Sequence, residues 1–355
     1  MRHGCLDKPE RHCCVQRKPD IVGVSFECSG GGQSQAYGLF VAWKSDSIGT
    51  PAGLARLNAT VPVKHIAAPA GTRHRHRLSP MGRTLPPSQF CAAGPSGVRD
   101  LIIGEIRPAV VLGAFPTAMY LRLVGGEVMA LLTRDAVQLP LGLRLSIHSA
   151  DHPLNQWVGP VRVGSNQLQT GDWSVRMSRL VSVRAPMGLE PNFRAIEDAT
   201  RNLRRLGPAE PEPGVLDILL SDQRARAPAA VVGRLLGAGP GLTPTGDDVL
   251  AGFLVGAWSF GLANDPLRTA VLEAAPSGTT DLSAALLRCA SRGESIPQVS
   301  ALLASLSEGN ARSRWPDDAL TKLGRVGHTS GAALASGVIA AANVAARARS
   351  DQAAV

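Results

Sequence analysis

LGAGPGLTPTGDDVLAGFL, residues 236–254, is the stretch from which the rest of this chain is best read. Gly237, Gly239 and Gly241 stand on alternate positions, and glycine reaches backbone angles closed to other residues. Thr243 has the chemistry of an N-cap, and Pro244 suits the first helical position, where no amide hydrogen is needed. Gly246, Asp247 and Asp248 follow, so two carboxylates fall in the first turn and complement the helix dipole. The apolar run from Val249 to Ala263 then predicts a helix to about Phe260. Gly252 and Gly256 each cost that helix about 1 kcal/mol relative to alanine. Close approach of a neighbouring backbone or a ligand is the expected return.

A glycine-rich loop at a helix N-terminus presents several amides together and attracts anions. Two aspartates at the same place repel a bare phosphate. A divalent cation between carboxylate and phosphate, such as Mg²⁺, reconciles the two. On this reading Gly239, Gly241, Thr243, Thr245 and Gly246 bind a phosphate or carboxylate, and Asp247 and Asp248 hold the metal or act in catalysis. The plainer alternative is a buried helix start that the aspartates cap. No Lys-Ser/Thr follows the glycines, so the loop is not a P-loop. Leu242 occupies the third glycine position of a G-x-G-x-x-G pattern counted from Gly237, which removes the dinucleotide fingerprint.

Outward from this stretch, 355 residues suffice for two or more domains, and 44% hydrophobic content permits a sizeable core. The net charge of +9 is unevenly placed. Residues 1–99 hold 13 Lys/Arg against 5 Asp/Glu, a net of +8, which leaves +1 for residues 100–355. A nucleic-acid role for the whole chain loses its support, and only the basic N-terminal extension keeps one, as an arm for RNA or an acidic partner. Five of the six cysteines lie in the same extension, with His3 and His12 close to Cys5, Cys13 and Cys14, at spacings that match no structural zinc pattern. No signal-peptide pattern is present near Met1, and the block Val249–Ala263 is too short to span a membrane. A reducing, cytoplasmic setting is expected.

Three regions are expected in order. Residues 1–99 read as a basic, poorly ordered extension, with short strands at Ile21–Phe26 and Tyr37–Trp43, and with Met81 as an alternative start. Residues 100–190 read as an antiparallel β-rich domain, a small barrel or sandwich. Its strands lie near Ala109–Leu112, Ala118–Val124, Glu127–Leu132, Leu139–Ile147, Trp157–Val163 and Trp173–Val183, with hairpin turns at Gly125-Gly126 and Gly171-Asp172. His148, Asp151 and His152 cluster near a strand end, where a surface loop is the simpler reading. Residues 191–350 read as a helical domain that carries the GAGPGLTPTGDD motif, so the fold class is α+β. Its last helix begins near Thr329.

That last helix repeats the first in outline. TGDDVLAG (245–252) aligns with SGAALASG (330–337) at an offset of 85 residues, with both glycines matched. The second helix start brings His328, Ser330 and Gly331, a histidine able to transfer a proton and two small polar positions for substrate. Similarity this short makes internal duplication a weak inference from sequence.

At these residues the chain resembles a bacterial family long catalogued as a domain of unknown function, which includes the AllH-type subunit of oxamate carbamoyltransferase. Gly237–Leu254 looks like its signature, and TTDLSAALLRCASRGE (279–294) and Gly327–Gly337 are similar to its later motifs, over about residues 100–345. The resemblance implies a cytoplasmic subunit that works with others, one of them FdrA-like. The complex interconverts carbamoyl phosphate plus oxamate with oxalurate plus phosphate, in purine and allantoin catabolism. It also implies catalytic or binding duty for Gly239, Gly241, Thr243, Gly246, Asp247, Asp248, His328, Ser330 and Gly331. The family pattern has an acidic residue after the second Ser-Gly, where this chain carries Ala332-Ala333. Arg288, Arg312 and Arg314 are the candidate cations for an anionic substrate. Two other functions fit the residues: a non-catalytic scaffold or metabolite-sensing subunit, and a small-molecule phosphotransferase.

Overall fold

The computed structural model describes residues 88–157, 159–203, 228–262, 264–307 and 316–353. The strand expectations at 21–26 and 37–43 and the candidate cations Arg312 and Arg314 lie outside these residues.

Eight strands form the β region: β1 (Ser88–Gly94), β2 (Arg107–Ala114), β3 (Ala118–Leu123), β4 (Val128–Leu132), β5 (Gly142–Leu145), β6 (Val161–Gly164), β7 (Gln167–Thr170) and β8 (Trp173–Leu180). They close into a barrel in the order β1-β5-β4-β3-β2-β6-β7-β8. This corrects the antiparallel expectation, because β1 runs parallel to β8 and β4 parallel to β5. The strand that closes the barrel, β1, sits inside the stretch read from sequence as an extension. Its sequence, SQFCAAG, offers little hydrophobic contrast between faces, and its partner β8 lies some 85 residues away (88 against 173), so no local pattern announces the pairing. The hairpin turn at Gly125-Gly126 joins β3 to β4 as expected, with Gly126 at φ +86°.

Period-two alternation divides each strand between two environments. On β3, Met119, Leu121 and Leu123 point into the barrel, and α1 (Ser96–Ile103) adds Val98 and Ile102 to the same core. Phe90, Trp157 and Trp173 stack on one another within that core, with His152 edge-on to Phe90 and Trp173. The opposite faces of β3 and β4 are also apolar. Ala118, Val128, Ala130 and Leu132 are buried against Leu282, Ala285 and Cys289. The run VMALL of β4 is therefore buried on both faces, and the barrel leans on the helices at this side.

The helices are α2 (Phe193–Leu203), α3 (Pro228–Leu235), α4 (Thr245–Phe260), α5 (Asp265–Gly278), α6 (Asp281–Ala290), α7 (Pro297–Ser305), α8 (Pro316–Gly324) and α9 (Ser330–Ala353). Nearly all of α4 is buried, which is why its apolar residues run all round the helix. Its first helical residue is Thr245, with Pro244 at the cap and no side-chain cap bond, one position later than the sequence predicts.

The expectation of close approach at Gly252 and Gly256 is met by α9. A Cβ on Gly252 would sit 2.2 Å from the Leu334 carbonyl oxygen, and one on Gly337 would sit 2.1 Å from the Val249 carbonyl oxygen. Val249 and Leu334 each precede the matched glycine of their own helix by three residues, so the contact is reciprocal about a local twofold axis. The helix starts obey the same relation. Gly246 packs against the Leu235 carbonyl and donates to the Ala238 carbonyl; Gly331 packs against the Leu323 carbonyl and donates to the Val326 carbonyl. Each unit is a helix, a loop and a helix, α3–α4 and α8–α9. The 85-residue offset thus has a structural counterpart.

By length and composition α9 could cross a membrane, but 78% of its apolar window is buried inside the protein. It is a core helix against α4.

Candidate functional site

A cavity of about 340 Å³ opens where the outer faces of β3 and β4 meet the first turns of α4 and α9. Its polar lining comes from Thr117, Tyr120, Thr243, Asp248, Glu294, Ser295 and Ser330, and most of the rest is apolar, including Leu132, Leu286 and Leu334. Among the described residues, no lysine or arginine lines it.

The two adjacent aspartates have separate fates, since neighbouring positions on a helix point about 100° apart. Asp247 turns away from the cavity and is 1% exposed. One carboxylate oxygen accepts the Gly237 amide at 2.8 Å, and the other accepts the Thr279 hydroxyl. It ties the glycine-rich loop to the start of α6. The loop is held a second time by Thr280, whose hydroxyl donates to the Leu242 carbonyl at 2.6 Å and accepts from the Ser283 amide as the N-cap of α6. Gly237, Gly239 and Gly241 all have positive φ (72°, 114° and 98°), and a Cβ on Gly237 would also meet the Gly278 carbonyl at 2.4 Å.

Asp248 faces the cavity and is 7% exposed. Its Oδ2 is buried with no hydrogen-bond partner among the described residues. Burial raises its pKa to about 7, with hydrogen bonding from Ser330 acting in the opposite direction and the charge of Asp247 adding to the rise. The Ser330 hydroxyl lies 3.2 Å from that of Thr243, and either can donate. A buried, uncompensated carboxyl oxygen costs free energy, so this position is a group held ready for a donor. Burial also raises the pKa of Tyr120 on the barrel side of the cavity.

Of the residues singled out from sequence, Asp248, Thr243 and Ser330 meet at the cavity. Asp247 is spent on holding the loop. Gly246 and Gly331 are packing glycines, with their amides donated to Ala238 and Val326. Gly239 and Gly241 are exposed, with Gly239 against Thr245. His328 is exposed and does not line the cavity. Arg288 lines a separate cavity of about 410 Å³ with Arg292, across Glu294. His148 lies 3.7 Å from Asp135 and His152 belongs to the aromatic stack, so these two do not form a joint site. The expected Mg²⁺ site is poorly supported by the donors present: both oxygens of Asp247 are taken, and no group of three His, Cys, Asp or Glu among the described residues is arranged to hold a metal ion.

Sequence reading missed the barrel's contribution, Thr117 and Tyr120. Neither carries a local signal, because both become relevant only when the outer face of β3 is laid on α4 and α6. It also passed over Glu294 and Thr279, although both end or begin a stretch it had marked.

Residues 235–342, the segment from the end of α3 into α9, match the model of a protein family described as oxamate carbamoyltransferase subunit AllH. No curated protein and no solved structure matches the chain.

Proposed function

We propose that this chain is a subunit of a carbamoyltransferase of the oxamate type, working with other subunits in purine and allantoin catabolism, and that the Asp248 cavity takes the amide-bearing substrate. The family match over 235–342 supports the reaction class. The observation that carries the site is the buried Asp248 Oδ2, without a partner among the described residues and facing the cavity.

In the transfer, the amide nitrogen of oxamate attacks the carbonyl carbon of carbamoyl phosphate. A C–N bond forms, the C–O bond to phosphate breaks, phosphate leaves with the bonding pair, and one nitrogen proton must be taken up. A carboxylate whose pKa lies near 7 suits that proton at neutral pH. Asp248 accepts it through Oδ2, while Thr243 and Ser330 position the substrate through their hydroxyls. Positioning supplies most of what such a reaction needs. The phosphate requires cations that the described lining of the cavity does not include, and partner subunits, an FdrA-like protein among them, are the proposed source. The Gly237 and Gly246 amides are already donated within the protein, which shifts the weight of the proposal from a phosphate loop to the carboxyl group. No step is routed through Mg²⁺.

The test is carbamoyl transfer by the assembled complex with Asp248→Asn and Asp248→Ala. A loss of at least 10²-fold in kcat with unchanged assembly supports the general base. Full activity of both variants overturns it, and leaves the scaffold or metabolite-sensing role as the better reading.

A further inference from the structure

A second charged feature lies on the outer face of the barrel, built by strands that take no part in the Asp248 cavity. On β1, Ala92 points into the barrel core and Ala93 points out. The register sets Ala93 beside Arg144 of β5 on one side and beside Arg179 of β8 on the other. The second pairing depends on a bulge. Met177 pairs with Ala92, and Arg179, two residues on, pairs with Ala93. Without the extra residue, alternation would place Ser178 beside Ala93 and turn Arg179 towards the apolar interior. The bulge is itself fastened by the Ser178 hydroxyl, which donates to the Ala92 carbonyl at 3.3 Å.

The product is a groove of about 360 Å³, with alanines for a floor, Arg144 and Arg179 for walls, and Arg134, Ser146 and Cys91 completing it. Among the described residues no carboxylate lines this groove, and no ion pair engages any of the three arginines. Three arginines lining one groove put like charges near one another, which an anion relieves. The guanidinium fork matches phosphate and carboxylate oxygens two at a time. The volume is that of a small-molecule site, and among the described residues no aromatic ring lines it to stack a base.

We propose that this groove binds a small polyanion bearing phosphate or carboxylate groups, at a site separate from the Asp248 cavity. The inference does not rest on the carbamoyltransferase reading, and either can fail without the other.

Calorimetric titration of the full chain with inorganic pyrophosphate, and separately with citrate, tests it. The parent protein is compared with Arg144→Gln, Arg179→Gln and Arg194→Gln, the last an exposed arginine on α2. The basic segment 1–99 attracts anions equally in all four, so the differences decide. The expected result is saturable binding of one probe, weakened about tenfold or more by each groove substitution and unchanged by Arg194→Gln. Melting temperatures without ligand should stay at or above the parent value, because removing a cation relieves repulsion. Preference for pyrophosphate or for citrate identifies the group recognised. Equal affinity in all four proteins, or no saturable binding of either probe at millimolar concentration, overturns the proposal.

Discussion

Asp248→Asn should make this protein less sensitive to rising pH, and the size of the effect follows from the burial of one carboxyl group. The side chain has an ordinary pKa of 3.8 and is raised to about 7 in the fold, with burial as the leading cause. At pH values between these two, the folded chain holds a proton that the unfolded chain has released. Stability is therefore fully present below about pH 4, falls by about 1.4 kcal/mol per pH unit through the interval, and levels off above the folded pKa. The rise from 3.8 to about 7 corresponds to a ceiling of about 4 kcal/mol, or of the order of 10 °C in melting temperature for a chain of this size. Asparagine keeps the shape and never ionises. Urea or thermal unfolding of parent and variant at intervals from pH 4.5 to 8.5 gives the difference directly, with every other titrating group cancelling. The variant should gain on the parent steadily up to about pH 7 and then hold a constant lead. A difference that stays flat across the range would show that Asp248 ionises as an ordinary surface carboxylate, and the acid–base reading of the cavity would go with it.

The remaining expectations concern the frame of the site. Gly252→Ala places a methyl group 2.2 Å from the Leu334 carbonyl oxygen, so α4 and α9 must separate; a loss of about 3 kcal/mol or more in unfolding free energy is expected, at the upper end of overpacking. Thr279→Val removes a donor from the buried Asp247 and should cost about 1–3 kcal/mol. In a double-mutant cycle with Asp247→Ala it should couple by at least about 0.5 kcal/mol, and strict additivity would separate the two residues. The Cys289 thiol is buried and pushed up to about 12, whereas Cys91 is exposed, so brief alkylation at pH 8 followed by peptide mapping should label Cys91 and spare Cys289.

The helices and most strands were legible because their signals are local. Pro266 near the start of α5, Thr280 before α6 and the VMALL run of β4 announce themselves within a few residues. The glycine pair in α4 was legible in kind, since two costly glycines demand a neighbour, but the neighbour's identity needed the fold. Closure of the barrel was not legible. It depends on a parallel pairing across the whole β region, and β1 contributes small side chains whose pattern is faint. The two aspartates show the limit most clearly. Sequence marked both for one role, while a single step along the helix assigned Asp247 to the loop and Asp248 to the cavity.

The crossing of α4 and α9 has a consequence for how much the site can give. Asp248 lies one turn before Gly252, and Ser330 two turns before Gly337. At those glycines the helices meet main chain against main chain, with no side chain between them to change rotamer. The spacing of the two groups is therefore fixed by covalent geometry on each side of one pivot, and thermal motion has little slack to work through. Deuterium exchange is the corresponding readout: the amides of Val249–Phe253 and Leu334–Val338 should open only with the whole fold, so that the groups at the cavity keep their distance until the protein itself is lost.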